Sequence, residues 1–197
     1  MAQKLILPLN NMRTTATYKH KDYKYAGKYA VHYGLDCSDR DRKDFQLWAS
    51  GNGVVKAVGT DNTVGVTIVI VYKDCILHDG SVRDLTFRYF HLKEGSVRVK
   101  VGDKVTKDTR LATIGNTPVS KGMAVHLHLE VDKDTDDRYV CWSPTVSKTS
   151  GLIRKGVDST IDPLKVLWVK KSAPDYQTYM ADPSGWITES SKTLPTY

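Results

Sequence analysis

The sequence predicts a mainly β protein, an antiparallel folded sheet in a barrel-like sandwich with long loops. β-branched residues are concentrated in short runs, and Gly, Asn and Asp separate these runs, a pattern typical of strands joined by tight turns. Apolar residues at helical spacing extend over about one turn at most, between Pro163 and Trp168,. Many short strands with turn signals between them favour a sandwich or a barrel-like sheet.

The predicted strands follow one another along the first two thirds of the chain. Residues 53–73 form a hairpin, because two valine-rich runs flank the turn residues 59–62,. Asp84 to Phe90 is a strand in which apolar and polar side chains alternate. Gly95 to Thr113 is again rich in valine, on both sides of a turn, which predicts further strands. From Val125 to Val131 apolar and polar side chains alternate without interruption,.

Chain length favours a single folded domain. The 197 residues suffice for one core but not for two ordinary domains and a linker. We therefore predict one domain over residues 1–168, with a long polar loop from Asp132 to Thr160. Residues 169–197 form a tail whose aromatic side chains indicate docking on the domain or on a partner: Tyr176, Tyr179, Trp186 and Tyr197. We expect a monomer.

Charge and composition limit the classes of partner. The formal net charge of +7 predicts attraction to polyanions, among them nucleic acid, anionic lipid and the phosphate-rich polymers of bacterial walls,. No apolar run is long enough to cross a membrane, and Leu5 to Leu9 is too short for a signal peptide,. Three widely spaced cysteines predict neither a disulfide framework nor a cysteine-based metal site,.

The strongest chemical signal is the sequence VHLHLEV at residues 125–131. Alternation along a strand places His126, His128 and Glu130 on one face, and the two leucines between them on the core face. Two neighbouring imidazoles on a strand suit a metal ligand beside a group that handles protons. A solvated polar face is the alternative interpretation of this motif alone.

Two further motifs supply candidate partners. His32-Tyr33-Gly34-Leu35-Asp36 holds an imidazole and a carboxylate in a predicted loop or extended segment. Together with His128 these would provide three metal ligands and leave a fourth position open, the arrangement of a catalytic site. His91 follows an apolar strand in the sequence YFHL, where by itself it is more simply interpreted as a strand-end residue.

These motifs, taken in order, resemble the lysostaphin-like (LytM-type) zinc endopeptidases of peptidoglycan. The matching segments are HYGLD at 32–36, RYFHL at 88–92, VRVKVGDKV at 97–105 and HLHLEV at 126–131. The resemblance spans about residues 12–168. Three departures concern the groove edge: Gly122-Met123-Ala124-Val125 replaces a usual Gly-Pro, Leu129 stands where a phenylalanine is usual, and the glycine-rich turn reads Gly115-Asn116-Thr117-Pro118.

The resemblance implies a fold with loops around a zinc groove and assigns roles to five residues. His32, Asp36 and His128 would hold one catalytic Zn²⁺, and His91 and His126 would be the unligated catalytic histidines. One of these two would accept the proton of the attacking water while the other bonds the developing oxyanion. Glu130 would make a supporting hydrogen bond or salt bridge.

The implied function is a zinc metalloendopeptidase acting on the stem or cross-bridge peptides of peptidoglycan, with anionic wall polymers as a further partner. The expected absence of a signal peptide fits a phage or prophage endolysin that is made in the cytoplasm and reaches the wall after release, or that is carried by the virion. The alternatives are a catalytically silent wall-binding or scaffold module of the same fold, and a basic nucleic-acid-binding β domain. We expect no nucleic-acid partner, because that interpretation leaves the histidines unexplained.

Overall fold

The architecture is formed almost entirely by β-strands. The computed structural model describes residues 1–21, 23–25, 28–119, 122–135, 158–170, 178–180 and 194–195. The strands are β1 (Leu5–Ile6), β2 (Asn11–Ala16), β3 (Lys24–Tyr25), β4 (Lys28–Tyr29), β5 (Leu35–Asp39), β6 (Gln46–Trp48), β7 (Gly53–Asp61), β8 (Gly65–Ile76), β9 (Val82–Leu92), β10 (Lys104–Val105), β11 (Arg110–Thr113), β12 (Leu127–Asp132), β13 (Thr160–Ile161), β14 (Leu167–Trp168) and β15 (Thr178–Met180), with a 3₁₀ helix at Pro163–Lys165. None of the helices in these ranges has the length and hydropathy needed to cross a membrane.

One large sheet organises the fold. Within the described ranges it has nine strands, in the order β10-β7-β8-β9-β12-β5-β2-β15, with β13 paired to β12. Its neighbours are antiparallel, except that β15 runs parallel to β2. The predicted mainly β, antiparallel class is confirmed. The described strands form an open ladder from β10 to β15 rather than a closed barrel.

The predicted strands differ from the observed ones mainly at their ends and in one block. The predicted strand Asp84 to Phe90 lies inside the longer β9. Gly95 to Thr113 contains only the short strands β10 and β11. The residues just before β10 are instead attached to β7 by long-range backbone hydrogen bonds, with Val55 N donating to Asp103 O and Gly102 N to Val55 O. The strand length predicted from valine content is therefore too great in this segment.

Alternation along the strands separates a core face from a polar face. Leu35, Tyr89, Leu127 and Leu129 are fully buried in the core. On the opposite face, His128 of β12 lies between Asp36 of β5 and Phe90 of β9. The sheet order therefore brings together motifs that are about 90 residues apart in the chain.

The polar face continues away from His128 as a buried row of charges. Glu130 lies opposite Arg88, whose guanidinium forms an ion pair of 3.0 Å with Asp132. Glu130, Arg88 and Asp132 are all almost fully buried. Because burial of an unpaired charge is costly, the ion pair between Arg88 and Asp132 offsets part of the cost of burying both groups,.

Part of the predicted loop and tail lies outside the described residues. This applies to residues 136–157, which include Cys141, and to Tyr176, Trp186 and Tyr197 of the tail. Of the tail, β15 pairs with β2, and Leu194 is buried. Val169 N donates to Pro195 O.

Candidate functional site

Three side chains from distant segments converge on the polar face of the sheet. The Oδ1 atom of Asp36 lies 3.1 Å from Nε2 of His32 and 2.8 Å from Nδ1 of His128. The two imidazole nitrogens are 3.1 Å apart. All three residues offer donor atoms within 4.8 Å of one another, a grouping that could hold a metal ion.

The two imidazoles are held so that a chosen nitrogen faces the centre. Nδ1 of His32 lies 2.7 Å from the carbonyl of Thr17, to which its N–H donates, and this leaves the Nε2 lone pair directed inward,. Tyr23 stacks on the same ring at 4.2 Å. The other ring, His128, has its Nε2 3.4 Å from Oε1 of Glu130 and stacks on Phe90. Such partners fix the orientation of metal-binding histidines.

Gly34 permits the close approach of the first motif to the second. A Cβ atom at this position would lie 2.6 Å from Nε2 of His128 and 2.7 Å from the carbonyl oxygen of Leu129. Both distances are too short for a side chain. The glycine between His32 and Asp36 therefore has a packing role, which the sequence pattern alone did not identify.

The electrostatics of the three groups are tightly linked. Burial would raise the pKa of Asp36, but the neighbouring His32 and His128 outweigh it and hold that pKa well below its ordinary value. Burial would likewise lower the pKa of His128, but its hydrogen bonds with Asp36 and Glu130 raise that pKa to about 10. Without a metal ion, the proton on His128 supplies the positive charge between the two carboxylates.

His91 and His126, the two histidines that the resemblance leaves unligated, lie beside this centre. Their ring centroids are 4.8 Å apart, and Nε2 of His126 is 3.9 Å from Oδ1 of Asp36. The Nδ1–H of His91 donates to the carbonyl of Thr117, and that of His126 to the carbonyl of Ala124. Each ring therefore keeps an Nε2 lone pair that can accept a proton.

His91 is held in an unusual backbone conformation and is buried. Its φ of 60° lies in the left-handed region, where non-glycine residues are uncommon. Its N–H donates to Val64 O, which holds the backbone in place. Burial, together with the nearby His126 and His128, lowers the pKa of His91 to about 4. The ring is consequently neutral at neutral pH and available as a proton acceptor.

Three of these five residues open onto a groove that also contains residues the motifs did not identify. A cavity of about 480 Å³ is lined by Asp36, His91 and His126, and also by Arg13 and Arg42. The carbonyl groups of Thr17, Thr117 and Ala124 orient the histidine rings. A backbone carbonyl carries no residue-type signal, so sequence patterns could not have found them. Cys37, the neighbour of Asp36, is buried in the core, where burial raises its pKa.

Comparisons with known proteins place this geometry in context. The model of peptidase family M23 matches residues 30–140, more than half of the chain. Stage II sporulation protein Q of Bacillus subtilis (strain 168) is 29% identical over 110 residues, which are 56% of this chain and 35% of that protein. The chain thus spans about a third of this curated relative's length.

Two solved structures extend the similarity. A chain of the SpoIIQ–SpoIIIAH pore-forming complex aligns with a TM-score of 0.58 and 20% identity, over 85% of this chain and 92% of that one. A chain from a crystal structure of the SpoIIIAH and SpoIIQ complex aligns with a TM-score of 0.53 and 24% identity, over 66% and 93%. At these identities the likeness concerns the fold alone.

Proposed function

This chain belongs to peptidase family M23, and we propose on that basis that it is a zinc metalloendopeptidase that hydrolyses peptide bonds in the stem or cross-bridge peptides of peptidoglycan. His32, Asp36 and His128 hold one zinc ion, and His91 and His126 are the catalytic histidines. Residues 1–168 form the peptidase domain, and residues 169–197 form a tail that docks on it or on a partner. The protein acts as a monomer.

The observation that supports this proposal is the chemistry and spacing of the three donors. Two imidazole nitrogens and a carboxylate oxygen are preferred zinc ligands, and zinc bonds of about 2.0–2.1 Å place tetrahedral ligands about 3.4 Å apart. The separations of 2.8, 3.1 and 3.1 Å are close to this value. Three protein ligands leave room for water or substrate.

The histidines beside the site supply the proton transfers. Bound zinc provides Lewis acidity, which polarises a peptide carbonyl and makes water acidic enough to react near neutral pH. The free Nε2 atom of one of the two, His91 or His126, would take the proton that the attacking water loses and later deliver it to the leaving amine. The other histidine, in its protonated form, would donate a hydrogen bond to the developing oxyanion.

A scaffold or binding module of the same fold is the second candidate. It is favoured by the similarity to the SpoIIQ–SpoIIIAH complex, in which the related fold assembles with another protein. This chain nevertheless carries a complete donor set and both additional histidines at one site. A module that only binds has no need for that set, so we favour the enzyme.

Turnover of purified peptidoglycan separates the two candidates. The zinc-loaded chain is expected to release soluble peptides with new amino termini, and chelation of zinc is expected to stop the release. Binding to the wall material without any new amino terminus, at full zinc occupancy, would favour the scaffold.

We further propose that the protein is a phage or prophage endolysin. It is made in the cytoplasm and acts on the wall after release, or travels with the virion, and its basic surface helps it to reach anionic wall polymers. Detection of intact protein exported from uninfected cells would argue against this route.

Replacement of Glu130 by glutamine is expected to weaken zinc binding by about 10–100-fold, because partners that orient a metal-binding histidine have effects of this size. The amide keeps the volume but removes the negative charge that faces Nε2 of His128. Zinc affinity is measured by competition with a chromophoric chelator. Glu94→Gln, on the exposed turn after β9, is the control; equal losses in both variants would contradict the role of Glu130.

Zinc affinity is expected to rise with pH. His128 has a pKa raised to about 10 in the metal-free protein, so zinc must displace its proton throughout the range from pH 7 to pH 9. Fewer protons compete with zinc for His128 as the pH rises, so the dissociation constant for zinc falls by about tenfold per pH unit. Chelator competition at three pH values measures this slope, and an affinity independent of pH would contradict it.

A further inference from the structure

Two arginines in the wall of the groove are not used by the proposed chemistry. Arg13 and Arg42, here called the arginine pair, line the same cavity as Asp36, His91 and His126. Lys24 lines it too, so the described lining residues carry three cations and one carboxylate. That carboxylate belongs to Asp36, whose Oδ1 already lies within 3.1 Å of His32 and His128.

The strand register explains how Arg13 reaches the groove. On β2, Arg13 lies directly opposite Ser38 of β5, and Asp36 is two residues from Ser38 along the same strand. Residues two apart on a strand point to the same face and are roughly 7 Å apart. Arg13 and Asp36 therefore share the polar face, with only one strand spacing between their strands.

The arginine pair has no acidic partner in the described part of the chain. No Asp or Glu side chain among the described residues forms an ion pair with either arginine, whereas Arg40 and Arg88 each pair with an aspartate. The Nε atom of Arg13 is buried and has no hydrogen-bond acceptor. A buried donor without a partner is costly in a folded protein, and Arg13 lines a cavity in which a ligand can supply an acceptor to its guanidinium.

We propose that the arginine pair binds a free carboxylate of the substrate peptide next to the scissile bond. This rests on the proposed function and narrows its substrate class to acidic stem peptides, as opposed to uncharged glycyl bridges. A guanidinium offers paired N–H groups that match the two oxygens of a carboxylate. The carboxylate held there aligns the peptide along the groove toward His126.

A peptide fits the site better than a phosphate polymer. The two arginines line one cavity, which also contains the groups proposed to cut a peptide bond. The apolar side chains of Met123 and Val125 line the same cavity. Apolar walls suit the side chains of a peptide, whereas a polyol phosphate chain offers them little to contact.

The test uses a matched pair of fluorescent peptides and the full zinc-loaded chain. One probe is L-alanyl-γ-D-glutamyl-L-lysyl-D-alanine with free carboxylates, and the other is the same peptide with both carboxylates converted to carboxamides. The dissociation constants are measured by fluorescence anisotropy for the unmodified chain and for Arg13→Gln, Arg42→Gln and Arg98→Gln. Arg98 is exposed and lies outside the cavity, so its variant controls for the loss of one charge.

The unmodified chain and the Arg98→Gln control are expected to bind the acidic probe about tenfold more tightly than the carboxamide. Arg13→Gln and Arg42→Gln are each expected to lose most of this preference, with carboxamide binding unchanged. Because Arg42 is exposed, its variant remains informative if Arg13→Gln folds poorly. Equal binding of the two probes by the unmodified chain would overturn the proposal. So would a preference that both arginine variants retain.

Cleavage assays and binding of a phosphate polymer separate the proposed carboxylate site from the proposed enzyme activity and from a phosphate-binding site. If the acidic probe is preferred through the arginine pair but neither peptide nor peptidoglycan is ever cut, the proposed enzyme fails while the carboxylate site stands. If peptides are cut without any preference for charge, the enzyme stands and the carboxylate site fails. Binding of polyglycerol phosphate that depends on the arginine pair, without a peptide preference, would assign the site to a phosphate polymer and overturn the proposal.

Discussion

His128→Ala is expected to abolish zinc binding and peptidoglycan turnover together. His128 is the shared neighbour of the other two donors, with Nδ1 2.8 Å from Asp36 and 3.1 Å from His32. Its removal leaves two ligands, and we expect the zinc affinity to fall by at least about 10³-fold, a sizeable part of the binding free energy of a zinc site. The carboxylates of Asp36 and Glu130 also lose their common partner.

The measurement is the zinc content of the purified variant together with its turnover of peptidoglycan. His78→Ala is the matched control, because His78 is exposed, its ring bonds to the carbonyl of Leu167 and packs against Trp168, and it is not among the residues of the candidate site. Circular dichroism should show the same β content in both variants. Full zinc occupancy in His128→Ala would remove this residue from the metal site.

Replacement of His126 or His91 is expected to reduce turnover without the loss of zinc. The expected reduction is about 10²–10⁴-fold, the range of a lost acid–base group. Neither ring is among the three grouped donors, and both present a free Nε2 toward the groove. For His126 the change is to alanine. For His91 asparagine is better, because asparagine tolerates a φ of 60°,.

The zinc-to-protein ratio and the turnover number are compared across the three variants. A loss of metal that is the same for His128, His126 and His91 would show that the division into ligands and catalytic histidines is wrong. Unchanged turnover in His126→Ala and His91→Asn would remove the proton-transfer role.

The part of the fold that sequence patterns predicted is the part governed by local alternation. Leu127 and Leu129 are buried in the core, and His128 and Glu130 lie on the polar face, as a period of two requires,. The valine-rich block from Gly95 to Thr113 was predicted less well, since Val101 is largely exposed and the following Gly102 and Asp103 bond to Val55 of β7. Composition indicates a preference for the strand conformation, but it does not determine which backbone N–H and C=O groups form hydrogen bonds with each other.

In the candidate site too, local sequence patterns predicted some features, while others depend on long-range pairing of strands. The motifs named five side chains that the fold brings to one place, because imidazole and carboxylate groups are visible in a sequence. The carbonyls that orient the rings, the close contact that requires Gly34, and the position of Arg13 opposite Ser38 all depend on strand register. Register between β2, β5 and β12 is a long-range property, and no local pattern specifies it.

Zinc binding by His32, Asp36 and His128 is tested by X-ray diffraction from crystals grown with zinc, with anomalous data collected on both sides of the zinc absorption edge. We expect one strong anomalous peak, at about 2.0–2.1 Å from Nε2 of His32, Nδ1 of His128 and a carboxylate oxygen of Asp36, with the remaining position facing the groove. A peak elsewhere would contradict it, as would a zinc ion enclosed by a fourth protein ligand.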